Sequence, residues 1–152
     1  MDQPLNSSET ARWVSWKRAN DAVLAAVAQE IHDAAGLSAA DFAVLSRVIE
    51  EGDGRMPQQD LGAMLEWKRA RLSRQLSRMA DRGLLWREEA PGRRVLIVAT
   101  REGRTALGAA RPAHARAVRR ALFERVPAPD GDAFWSALDA VAAPPRAAPP
   151  TS

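Results

Sequence analysis

Apolar residues recur every three or four positions along the first part of the chain. Between residues 9 and 35 this repeat forms a wide stripe that begins with Trp13 and Trp16 and continues to Ile31. Such spacing predicts one long amphipathic helix. Two tryptophans at its start are more aromatic surface than a small domain usually buries at one end. We therefore interpret the stripe as a contact with a second chain.

Three further helical segments follow in the pattern. Ser38, with Asp41 three residues later, indicates a capping box at the start of the first of them. Pro57 suits the first turn of the second of these three segments. A break at Glu66-Trp67 then leads into a third helix over residues 68–81.

The pattern changes to short strand-like runs at residues 84–89 and 95–99. Pro91-Gly92 lies between them and marks a turn, so the two runs predict a β-hairpin with a basic tip. Thr100 then resembles the N-cap of a long helix to about residue 126, and a last helix is predicted over 130–141. The predicted class is mainly α with a small β-hairpin wing.

Composition favours a globular chain with a locally basic region. Of 152 residues, 46% are hydrophobic and 27% are charged, and the net charge is only +3. Ten basic and four acidic residues lie between Glu66 and Arg101, so the rest of the chain is slightly acidic. This distribution indicates a surface that binds a polyanion, with a solvated helix face as the alternative.

Several chemistries lack the residues that they need. The chain has no cysteine and only two histidines, His32 and His114, far apart in sequence. There is no paired-carboxylate, Ser/His/Asp or glycine-rich phosphate motif. We therefore expect no enzyme, no metal and no cofactor. The N-terminus lacks a signal-peptide pattern, and no apolar run approaches the roughly 18 residues of a membrane helix. A cytoplasmic protein without a membrane partner is expected.

The helix over 68–81 carries the candidate chemistry. Leu72, Leu76 and Met79 define its buried side, which places Arg74 at the centre of the opposite face. Arginine pairs with guanine and phosphate, and serine contacts either, so this face suits a DNA major groove. The hairpin tip adds two arginines that suit a minor groove. The candidate DNA-binding residues are Lys68, Arg69, Arg71, Ser73, Arg74, Ser77, Arg78, Arg93 and Arg94.

Residues 16–126 resemble the MarR family of transcription regulators, in a form common in actinobacteria. The segments that carry the resemblance, which is specific as an ordered set, are Gly36-Leu37-Ser38, Asp41-Phe42-Ala43-Val44-Leu45, Leu61-Gly62-Ala63-Met64-Leu65-Glu66-Trp67, Arg71-Leu72-Ser73, Leu76-Ser77-Arg78-Met79, Arg82-Gly83-Leu84, Gly92-Arg93 and Thr100-Arg101-Glu102-Gly103-Arg104. The family implies a homodimer formed by terminal helices, a recognition helix that matches 68–81, and a wing arginine that matches Arg93. Family wings usually carry an acid where this chain has Pro91. Whether Arg93 or Arg94 makes the groove contact is therefore left open.

The resemblance also implies how the chain is divided. The expected organisation is a disordered N-terminus (1–8), a dimerisation helix (9–36), a winged helix-turn-helix DNA-binding lobe (37–100), dimerisation helices (101–143) and a disordered tail (144–152). Dimerisation implies a pseudo-palindromic operator in double-stranded DNA.

Many members of the family are repressors that small aromatic or phenolic ligands release. In this sequence the candidate ligand contacts are Trp13, Trp16, His32 and Phe42, although each also suits the core or a dimer interface. The alternative function is a winged-helix protein-interaction module without sequence-specific DNA binding.

Overall fold

The computed structural model describes residues 3–126 and 130–143, which contain six α-helices and three short strands. In chain order they are α1 (Ser7–Ala35), α2 (Ala39–Ser46), β1 (Arg55–Pro57), α3 (Gln58–Leu65), α4 (Arg69–Asp81), β2 (Leu85–Ala90), β3 (Arg94–Ala99), α5 (Arg101–Ala121) and α6 (Gly131–Ala142). A π-helical turn, Arg47–Glu51, extends α2, and a 3-10 turn, Phe123–Arg125, follows α5. The predicted class, mainly α with a small β wing, is confirmed. The predicted disordered tail over 144–152 lies outside the described residues.

Two capping boxes set the starts of the first two helices. The Ser38 hydroxyl accepts from the Asp41 amide at 3.0 Å, and the Asp41 carboxylate accepts from the Ser38 amide at 2.8 Å, as the sequence predicted. Asn6 and Glu9 form the same reciprocal pair at α1. That helix therefore begins at Ser7, two residues before the predicted start at Glu9, because Glu9 is the third helical residue of the box.

The sheet has one strand more than the predicted hairpin. β3 lies between β2 and β1, and both pairings are antiparallel. Met56 of β1 lies opposite Ile97 of β3. Pro57 ends β1 and precedes α3, so the prediction that it opens the helix is wrong by one residue. A proline suits this edge position because it has no backbone N–H to donate.

One hydrophobic core packs the helices α2 to α5 against the sheet. Its fully buried side chains come from α2, α3, α4, β3 and α5, and include Leu45, Leu61, Leu76, Ile97 and Leu107. Ile31 at the end of α1 also lies in this core, whereas residues 11–20 of the same helix are all exposed in the single chain. The first half of α1 therefore keeps much of its surface uncovered by the described part of its own chain.

Candidate nucleic-acid interface

A helix-turn-helix unit is formed by α3, a tight turn and α4. Glu66 ends α3 in the left-handed conformation, with φ of 53°, and Lys68 is the extended residue that starts α4. Gly62 lies in mid-helix, where a β-carbon would be only 3.3 Å from the Leu72 side chain of α4. The two helices therefore cross closely, which is the arrangement of helix-turn-helix DNA-binding units.

The amphipathic pattern of α4 is as the sequence predicted. Leu72, Leu76 and Met79 are buried, and Arg74 is exposed on the opposite side. Within the described residues the Arg74 guanidinium has no hydrogen-bond or ion-pair partner. Lys68 and Arg69 are likewise exposed at the start of the helix, so the outward face is cationic along its length.

One edge of this face carries two arginines that the protein itself holds in place. The guanidinium carbon of Arg71 lies 4.1 Å from the centre of the Trp67 ring, a cation–π contact across the helix-turn-helix turn. Further along α4, Arg78 donates to the side-chain oxygen of Gln75 at 2.5 Å. Trp67 and Gln75 were not among the residues predicted for the site.

The other edge carries the two serines, which face the wing instead of open solvent. Ser73 and Ser77 are half-buried, and the Ser77 hydroxyl donates to the Ser73 carbonyl at 3.0 Å. Arg87 of β2 donates to that carbonyl at 2.9 Å and to the Ser77 hydroxyl at 3.2 Å. These serines thus form a junction between α4 and β2. Sequence reasoning missed Arg87 because its partners lie on another element.

An open groove separates the helix-turn-helix unit from the wing. It encloses about 920 Å³ and is lined by the start of α3, the turn before α4, and the hairpin tip. The cationic residues on its walls are Lys68, Arg69, Arg93 and Arg94. Two acidic residues, Asp60 and Glu66, also line it, so its net charge is positive.

The wing tip turns through Gly92 and Arg93, whose φ angles are 79° and 57°. Arg93 is thus a non-glycine residue in the left-handed region, which is uncommon for an arginine. Arg94 is the first residue of β3 and pairs with Ala90 across the hairpin. Both arginine side chains are exposed, so both stay candidates for the groove contact.

The four residues predicted to contact a ligand are spread over the molecule. Trp13 and Trp16 are 51% and 45% exposed at one end of α1, and His32 is exposed at the other. At 1.5 Å per residue, Trp13 and His32 lie roughly 28 Å apart along the helix. Phe42 instead stacks on His114 of α5, with ring centres 4.7 Å apart and planes 18° apart. A single chain therefore does not gather these four residues into one pocket.

A smaller cavity of about 310 Å³ lies between α1, the end of α5 and α6. Its walls are mostly apolar and include Val23, Leu122 and Phe134, with Arg125 at one side. None of the four predicted ligand residues lines it. Among residues 3–126 and 130–143, no three His, Asp or Glu side chains are grouped as a metal site would require. No helix in these ranges is long and apolar enough to cross a bilayer.

The fold and this face together define a winged helix-turn-helix protein. Residues 39–100 match the family model of a domain of unknown function, DUF7343. No curated protein shows significant similarity to the chain.

Solved structures identify the fold more closely. Sco3205, a MarR family transcriptional regulator from Streptomyces coelicolor solved in complex with DNA, is 24% identical, with a TM-score of 0.81 over 93% of this chain and 90% of that one. AbsC, a MarR family regulator from the same organism, is 25% identical, with a TM-score of 0.79 over 93% and 96%. BpsR from Bordetella bronchiseptica, whose DNA binding is regulated by 6-hydroxynicotinic acid, is 23% identical, with a TM-score of 0.71 over 92% and 98%. The chain has the fold of MarR family transcriptional regulators, and the resemblance predicted from its sequence is confirmed.

Proposed function

We propose that the chain is a homodimeric transcription regulator that binds a pseudo-palindromic site in double-stranded DNA. The observation that carries this proposal is the exposed face of α4, a row of cations beside a groove that the wing arginines line. In this arrangement α4 enters the major groove and α3 crosses the backbone. The solved relative that holds DNA supports this docking.

The candidate contacts divide into three roles. Arg74, at the centre of the α4 face, is proposed to read a base, and Arg71 lies beside it. Lys68, Arg69 and Arg78 are proposed to contact phosphates. The wing is proposed to contact a phosphate through Arg93 or Arg94. Ser73 and Ser77 are proposed to act at the edge of the interface, since Arg87 bonds the Ser77 hydroxyl and the Ser73 backbone carbonyl there.

The dimer is proposed to form through residues 9–36 and 101–143. Its support is the uncovered apolar surface along α1, where Trp13, Trp16 and Leu24 are each 45% or more exposed. The stability of a helix in a protein comes mostly from the packing of its apolar face. A second copy that covers this stripe removes the exposed tryptophans from solvent.

Control by a small aromatic or phenolic ligand is proposed on two grounds. The regulation of BpsR by 6-hydroxynicotinic acid shows such control in a protein of this fold. In this chain, the stacked rings of Phe42 and His114 join α2 to α5 and offer a planar ligand an aromatic surface. A repressor that such a ligand releases is the proposed mode of action, and the cytoplasm is the proposed location.

Gel shifts with the intergenic DNA beside the gene test the function. We expect sequence-selective retardation that weakens steeply with salt. Arg74→Ala should relax base preference by roughly 1–3 kcal/mol. Arg93→Ala should weaken binding to all duplexes alike. Tight binding of another protein with no retardation of DNA would support the protein-interaction module instead.

A further inference from the structure

A series of hydrogen bonds between partly buried side chains connects the start of α2 with the DNA-facing side of α4. Asp41 and Gln75 are only 1% and 4% exposed, and the Gln75 amide nitrogen donates to the Asp41 carboxylate at 2.7 Å. At its other end, the Gln75 amide oxygen accepts from Arg78 at 2.5 Å. A buried amide is thus placed between a buried carboxylate and an exposed cation.

The direction of this amide is fixed by its neighbours. An ionised carboxylate only accepts hydrogen bonds, so the amide nitrogen has to face Asp41 and the amide oxygen has to face Arg78. Asp41 is itself held, because its carboxylate also accepts from the Ser38 amide at 2.8 Å and from Arg82 at 2.6 Å. The orientation of Gln75 therefore follows from groups in the backbone and core, not from solvent.

Packing alone does not explain an amide at this position. Gln75 lies between the apolar residues Leu72 and Met79 on α4, where a leucine or methionine would pack without the cost of burying a polar group. A buried polar pair of this kind adds little to stability compared with apolar side chains of similar volume. Its distinctive effect is geometric, because it restricts the guanidinium of Arg78.

We propose that Gln75 is a positioning residue for DNA binding: anchored on Asp41, it holds the Arg78 guanidinium ready for a DNA phosphate. This inference rests on the proposed function. Arg78 lies in the last turn of α4, beyond the N-terminal residues that usually reach base edges in this motif, so phosphate is its expected partner. Pre-ordering the long arginine side chain lowers the entropy lost when the phosphate binds.

A double-mutant cycle tests the proposal on a duplex that the wild-type dimer selects from a randomised pool. One phosphate contact changes the slope of log K against log salt by about 0.9, and a symmetric dimer loses two contacts. Arg78→Ala should therefore flatten the slope by about 1.8 and weaken binding about 30-fold near 0.15 M salt. Gln75→Leu should weaken binding when Arg78 is present, by less than Arg78→Ala does, and should have no further effect in the R78A protein.

If Gln75→Leu folds poorly, a variant that exchanges the carboxylate and the amide between positions 41 and 75 keeps the test decisive. Gln75→Glu alone places a second carboxylate beside Asp41 and should lower both Tm and DNA affinity. In D41N/Q75E the new amide at position 41 can donate to the new carboxylate, which still accepts from Arg78, and the net charge is unchanged. We expect this double variant to regain part of both the Tm and the DNA affinity that Gln75→Glu alone loses, while the loss of the Asp41–Arg82 ion pair prevents full recovery.

Other outcomes overturn the proposal in distinguishable ways. If Gln75→Leu lowers Tm but leaves affinity at the wild-type value, Gln75 is only structural. Equal losses from Gln75→Leu with and without Arg78 would show that it does not act through Arg78. Recovery of Tm without DNA affinity in D41N/Q75E would have the same meaning. If the wild-type dimer selects no duplex, the proposed function itself fails, and the inference fails with it.

Discussion

Trp16→Ala is expected to weaken the dimer strongly. Trp16 lies in the part of α1 whose residues 11–20 are all exposed in the single chain, and 45% of its own surface is exposed. Its neighbour Trp13 has Lys17 over its ring at 5.3 Å, so a change at Trp13 would also remove that contact. Trp16 therefore isolates the effect of lost apolar surface.

The size of the effect follows from the exposed area. A tryptophan offers up to about 250 Å² for burial, so the exposed part of Trp16 is roughly 100 Å². At about 25 cal/mol per Å² this is about 2.5 kcal/mol per copy, and up to about 5 kcal/mol for the two copies in a dimer. Incomplete coverage reduces that figure, so we expect the dimer Kd to rise by about two to three orders of magnitude.

Sedimentation equilibrium over a dilution series measures this Kd directly. Trp86→Ala is the matched control, because Trp86 is 47% exposed on β2, far from α1 in the chain. It should leave the dimer unchanged. An unchanged Kd for Trp16→Ala, or the same rise for both variants, would refute the assignment of the α1 stripe to the interface.

Two further predictions concern how the lobe is held together. Gly103→Ala should destabilise the fold by about 3 kcal/mol, because a β-carbon there would lie 2.1 Å from a backbone oxygen. On the same helix, a β-carbon at Gly108 meets nothing within 4 Å, so Gly108→Ala should stabilise the fold by about 0.5–1 kcal/mol. Urea denaturation measures both free energies of unfolding. Arg87→Ala and Arg87→Lys should both weaken DNA binding in gel shifts. Lysine is shorter and lacks the planar fork with which the guanidinium bonds the Ser77 hydroxyl and the Ser73 carbonyl. Wild-type affinity for Arg87→Lys would mean that only its charge matters.

Local signals in the sequence were sufficient for the helices and the hairpin. The Ser38–Asp41 box and the Thr100 cap each depend on residues three positions apart, so they can be read directly from the chain. Arg55-Met56 was predicted to be extended, but the pairing of β1 with β3 could not be predicted in this way. The strand β1 has three residues, and it is a strand only because β3, much later in the chain, pairs with it.

The site was predictable at its centre but not at its edges. Helical periodicity alone places Arg74 opposite the buried leucines, and the structure agrees. The surroundings of Ser77 depend on Arg87 of another element, and those of Gln75 depend on Asp41 of α2. Contacts between elements produce no regular spacing in the sequence. The sequence therefore could not show which polar side chains already have hydrogen-bond partners within the protein.

The partners of the α4 side chains indicate how specificity divides along the helix. Arg71 is restrained by the Trp67 ring, and Arg78 by Gln75, whereas Arg74 between them has no such partner within the described residues. A restrained side chain loses little entropy on binding but accepts few geometries, so it suits the regular phosphate backbone. A free arginine loses up to about 2 kcal/mol of rotamer freedom when it is fixed. Only a well-matched bidentate contact with a base edge, at about 1–3 kcal/mol, offsets that loss. We therefore propose that the contribution of Arg74 depends on the base that it meets, because no partner in the described residues restrains its side chain.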